Sequence, residues 1–183
     1  MTAPPPGSTE SLEDLLPPQA VAAAVEASDW ESAVVAAGDL LVASGSTMVR
    51  YTEHMLAALH QHGPYIVISP GFALAHAQAS DEVLAAGMSF VQLARPVRFG
   101  HATNDPVQLV VGLASPDHRT HMGPLLQLAR ALSTPGMMDT LRHATTADEL
   151  HTLLLRRPGS ILGADALAHG EEVPTHPTGG GSR

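Results

Sequence analysis

Residues 107–114 read VQLVVGLA and run directly into SPDHRTH at 115–121. A half-exposed strand would alternate apolar and polar side chains, yet Gln108 is the one polar residue in this run. A near-continuous apolar strand is one covered on both faces. With helices expected before, between and after the strands, the fold class reads as an α/β sandwich.

Working outward, two further runs read as strands, YIVIS at 65–69 and MSFVQL at 88–93, and AVAAAVEA at 20–27 reads as a short edge strand. In SDWE, Ser28 has Glu31 three residues later, a capping box that opens a helix. Trp30, Ala33, Val34, Ala37, Leu40 and Leu41 line one face of it, and Gly45 fits as its terminator. A second helix is expected from Met48 to Gln61 with Tyr51, Met55, Leu56 and Leu59 on one face, stopped by Gly63 and Pro64. After the last strand the periodicity predicts helices over 121–132 and 137–143, and a third opened by a capping box from Thr146 to Glu149.

Apolar periodicity stops at both ends. Residues 1–11 carry PPP, and 158–183 end in PTHPTGGGSR, compositions expected of disordered tails around one domain at 12–157. The 183 residues are 44% hydrophobic but only 3% aromatic, so the core is aliphatic. Cysteine is absent, which excludes disulfides, thiolate nucleophiles and cysteine metal sites. The net charge is -9 and every basic side chain is a scattered arginine, a surface that repels nucleic acid and anionic lipid. The N-terminus lacks a basic-then-apolar signal and no apolar run approaches about 20 residues. A cytoplasmic protein without membrane insertion is the expectation.

Eleven histidines stand in the chain. His54, His60, His62, His143 and His151 occupy polar faces of predicted helices, and His169 and His176 lie in the tail. His76 differs. It sits in PGFALAHAQ (70–78) between Ala75 and Ala77, and period two places it with Phe72 and Leu74. Small neighbours leave its imidazole open to a large partner. Asp117, His118 and His121 lie where the last strand meets a helix, a junction that suits an anion such as a phosphoryl group. His118 and His121 with His76 as a third ligand would equally suit a metal, and Asp117 would equally serve as a helix cap.

Taken in order, WESA at Trp30, Y-x-E-x-M from Tyr51 to Met55, GPYIVISPGFALAHA and DPVQLVVGLASPDHRTH resemble the enzyme IIA components of the bacterial sugar phosphotransferase system. The likeness is to the fructose and mannitol class, and within it to ascorbate-type members. It implies a mixed β-sheet flanked by helices on both faces, with His76 as phosphoryl acceptor and His121 as a second histidine stabilising the phosphoryl group. It also implies the phosphocarrier HPr as donor, a cysteine of enzyme IIB as acceptor, an indirect link to the membrane enzyme IIC, and no cofactor. Three positions depart from the family pattern G-x-A-x-P-H-A-R and the acidic residue beyond it. Ala75 replaces proline, Gln78 replaces arginine, and Ser80 replaces the acid. Gln78 retains hydrogen-bond donors for a phosphoryl oxygen without their charge. A regulatory or docking module of the same fold is the alternative these departures raise, and a zinc hydrolase is a distant third with no H-E-x-x-H spacing.

Overall fold

Leu109, Val111 and Leu113 point to one side of the last strand while Val110, Gly112 and Ala114 point to the other, and all six positions are buried. The computed structural model describes residues 11–116 and 122–156. Asp117, His118 and His121 fall outside them, as do the expected tails apart from Ser11, which is ordered by capping the first helix: its hydroxyl accepts from Asp14 N–H at 3.2 Å.

Among the described residues four strands form one mixed sheet: β1 (Val21–Val25), β2 (Phe72–His76), β3 (Gly87–Val97) and β4 (Val107–Ala114). Their order is β1-β3-β4-β2, with β1 parallel to β3, β2 parallel to β4, and β3 antiparallel to β4. β1 is an edge strand, as its sequence suggests. The helices are α1 (Leu12–Leu15), α2 (Trp30–Ala43), α3 (Val49–His62), α4 (Met122–Leu132), α5 (Met137–His143) and α6 (Ala147–Leu155). One core lies between the sheet and α2 with α3, and a second between the sheet and α1, α4, α5 and α6. The mixed sheet with helices on both faces is thus present.

The sequence misassigned YIVIS. These residues are not a strand of the sheet. Val67 N–H bonds the Pro64 carbonyl at 3.1 Å and Tyr65 N–H the Gly63 carbonyl at 2.9 Å, so tight turns take donors that a ladder would need. Ile66 and Val67 are apolar because they plug the α3 core, and the true strand starts after the Pro70–Gly71 turn. Gly71, at φ +76°, takes a left-handed conformation that an L side chain resists.

Helix α2 also starts differently. Its cap is Asp29, whose carboxylate accepts from Ser32 N–H at 2.8 Å while Asp29 N–H donates to the Ser32 hydroxyl at 3.2 Å. Asp29 adjoins the first helical residue, so its box displaces the Ser28–Glu31 pair. At α6, Thr146 caps Glu149 N–H as expected, but the Glu149 carboxylate turns to Thr145 N–H at 2.9 Å.

Helix α2 lies close on the sheet because the facing residues are small. The buried Ser89 hydroxyl donates to the Ala37 carbonyl at 2.7 Å, and a Cβ added to Gly112 would stand 3.2 Å from that carbonyl and closer still to Ser89 Oγ. Gly112→Ala should therefore lower stability by about 1–3 kcal/mol, the usual scale of overpacking. Urea denaturation checks this, and an unchanged midpoint would mean that α2 is not seated so closely.

Candidate functional site

Edge strands expose unpaired peptide groups, and β2 is an edge strand. Alternate residues of β2 turn their N–H and C=O away from β4. The Phe72 N–H reaches the Ser69 carbonyl at 3.0 Å and the Leu74 N–H reaches the Ile66 carbonyl at 2.9 Å, so the misread YIVIS run covers this edge. Side chains supply donors to two of the edge carbonyls. The Leu74 carbonyl accepts from Nδ1 of His76 at 2.9 Å, and the His76 carbonyl accepts from the Tyr65 hydroxyl at 3.2 Å.

The first of these bonds sets the chemistry of His76. A carbonyl oxygen only accepts, so Nδ1 carries the proton. In the neutral ring Nε2 then holds the lone pair. Nε2 has no partner among the described residues. The half-buried ring opens into a groove of ≈ 680 Å³ lined also by His54, Ala57, Ala58, Gln61, His62, Tyr65, Gln78 and Ser80. No arginine or lysine lines the groove among the described residues.

Tyr51 fixes the backbone beyond the histidine from the other side. Its buried hydroxyl donates to the Leu113 carbonyl at 2.8 Å and accepts from Ala77 N–H at 3.1 Å, joining the ends of β2 and β4. Tyr65 packs against the imidazole itself, ring centroids 5.5 Å apart and planes at 86°. Burial pushes both phenols above their usual range; at Tyr51 the Ala77 bond offsets part of that and the nearby Tyr65 adds to it.

Of the residues singled out from sequence, the groove brings His76 and Gln78 together, with Gln78 exposed on the rim. His121 lies outside the described residues. His54 and His62 were read as ordinary polar-face residues, yet they share the groove, and His54 stands 4.0 Å from Glu82. His60 pairs with Glu31 at 2.9 Å, and His151 bonds the Leu16 carbonyl at 2.9 Å, both structural contacts. Tyr65 escaped the sequence reading because it was assigned to a strand, which hid its position beside the imidazole.

Comparisons with known proteins bear on the family and the fold. The family described as phosphoenolpyruvate-dependent sugar phosphotransferase system, EIIA 2, matches residues 14–157. The ascorbate-specific EIIA component of Escherichia coli is 36% identical over 132 residues, covering 72% of this chain and 86% of that protein. The solution structure of the mannitol-specific cryptic phosphotransferase enzyme IIA of Escherichia coli has TM-score 0.71 at 25% identity, covering 79% of this chain and 98% of that one. The mannitol enzyme IIA in its Escherichia coli complex with phosphorylated enzyme IIB has TM-score 0.63 at 30% identity, covering 72% and 90%.

Tyr51 and Tyr65 are the chain's two tyrosines, so phenolate absorbance reads this site alone. Both should ionise above 10.0 in the folded protein and return to it in denaturant. A raised phenol value favours the folded state at all pH below about 10 and stops doing so as pH rises through the folded value. Alkaline titration with and without urea checks this; coincident curves would contradict the burial of Tyr51.

Proposed function

The chain belongs to the EIIA type 2 family of the phosphoenolpyruvate-dependent sugar phosphotransferase system, and on that premise we propose that it carries a phosphoryl group on Nε2 of His76. The single observation that supports this most is the Nδ1 bond to the Leu74 carbonyl, which leaves Nε2 as the free nucleophile at an open groove. The donor is phospho-HPr. The acceptor is a cysteine of a cognate enzyme IIB, and the sugar taken up through enzyme IIC is ascorbate or a related acid. Work at the cytoplasmic side of the membrane follows from that reading.

In the forward step the Nε2 lone pair attacks phosphorus in line with the departing nitrogen of the donor histidine. The Nε2–P bond forms as the donor N–P bond breaks and its electron pair returns to the donor ring. The His76 ring becomes a cation whose Nδ1–H stays on Leu74, where the carbonyl dipole stabilises the charge. Transfer to the enzyme IIB thiolate reverses this, restoring the neutral ring. Such chemistry depends on alignment and on donors to the equatorial oxygens. Gln78 is one such donor, and His121 is proposed as another. The domain that does this spans residues 12–157, with both tails dispensable.

A rim without arginine among the described residues favours one second reading, a docking module with weakened transfer. Incubation with enzyme I, HPr and phosphoenolpyruvate separates the two. The wild type should gain an acid-labile mass of about 80 Da, one phosphoryl group on imidazole, and His76→Ala should gain none. Wild-type protein that stays unmodified would leave the docking reading standing.

Two rates refine the site. His121→Ala should slow acceptance about 100-fold without removing the modification, the scale of one lost preorganised donor. Gln78→Arg should speed it by roughly tenfold, equal to about 1.4 kcal/mol of transition-state stabilisation. No gain from Gln78→Arg would mean that the groove stabilises charge by other groups.

A further inference from the structure

We propose that Tyr65 is a positioning residue for the imidazole of His76, an inference that rests on the reading of His76 as phosphoryl acceptor. The Nδ1 bond to Leu74 is one contact on a side chain with two rotatable bonds. Ala75 and Ala77, chosen small enough for a partner to approach, do not confine the ring laterally. A second contact must keep Nδ1 on the carbonyl and Nε2 toward the groove.

Tyr65 supplies it in a closed circuit. Its hydroxyl donates to the carbonyl of His76 at 3.2 Å, and its ring lies edge-on to the imidazole of the same residue at 5.5 Å. The phenol is thus tethered to the backbone whose side chain it confines. Burial does not explain the residue, because Tyr65 is 41% exposed and opens onto the groove. Among the described residues no other ring touches the imidazole. An aromatic of this size restricts motion at little entropic cost to itself, since it has two side-chain torsions.

The test uses the full chain with 15N-labelled histidine, the His76 resonances being assigned by their absence in His76→Ala. In the wild type, ring 15N shifts should report a dominant Nδ1–H tautomer at His76. Tyr65→Ala should lose that dominance while the other histidines keep their patterns, and should slow phosphoryl acceptance from phospho-HPr by about 10- to 100-fold, the scale of a misplaced reacting group. Tyr65→Phe keeps the ring without the tether and should recover most of the rate. Should Tyr65→Ala fail to fold by circular dichroism, Tyr65→Leu replaces it, with the same expected change. A folded Tyr65→Ala or Tyr65→Leu protein with the wild-type tautomer overturns the proposal whatever its rate. The 15N measurement needs no phosphoryl donor, so wild-type protein that accepts no phosphate defeats the carrier reading without deciding the role of Tyr65.

Discussion

The site depends on the free edge of β2. Peptide groups of Phe72, Leu74 and His76 turn away from the sheet, and a protein cannot leave such an edge bare without cost. The chain meets this demand with one preceding segment and one side chain. Ser69 and Ile66 accept from the N–H groups of Phe72 and Leu74, Tyr65 donates to the His76 carbonyl, and His76 Nδ1 donates to the Leu74 carbonyl. Satisfying the edge and selecting the histidine tautomer are the same interaction. A ring that folded away from Leu74 would lose its nucleophilic form and leave an edge carbonyl unpaired.

The rest of the fold holds that edge still. Ala37 on α2 with Ser89 and Gly112 on the sheet lets α2 sit against β3 and β4, and on the other side of α2 Gly38 leaves room for Thr52 of α3. Helix α3 then delivers the Tyr51 hydroxyl to Ala77 N–H and Leu113 C=O, where β2 and β4 end side by side. On the other face Phe72 and Leu74 are buried against the second core, so the strand cannot slip without exposing them. The proposed nucleophile is therefore on the last residue of a strand fastened from both layers. Among the described residues, histidines and glutamine amides line the groove and no arginine does.

Much of this was readable in the residues. VQLVVGLA marked a strand covered on both faces, the small neighbours of His76 marked an accessible imidazole, and the order of motifs gave the family. Local capping was read less well, because Asp29 and Ser28 are both good caps and only geometry decides between them. The YIVIS error is more instructive. Apolar content reports burial, and Ile66 and Val67 are buried, but it does not report whether backbone donors face a neighbouring strand or the turn before them. That is why the covering of the β2 edge, the roles of Leu74 and Tyr65, and the nearness of His54 and His62 to His76 were invisible in the sequence. The covering and the two roles depend on which side of a strand a peptide group faces, and the nearness on how α3 packs beside β2.

The central claim is that the Leu74 carbonyl holds the proton of His76 on Nδ1 and leaves Nε2 to take phosphorus. The most direct measurement is phosphorus–nitrogen coupling by NMR on the 15N-histidine protein after phosphorylation through HPr. The account predicts a single phosphohistidine, at His76, with phosphorus bonded to Nε2 and Nδ1 still protonated. Phosphorus on Nδ1, or on a different histidine, would contradict it.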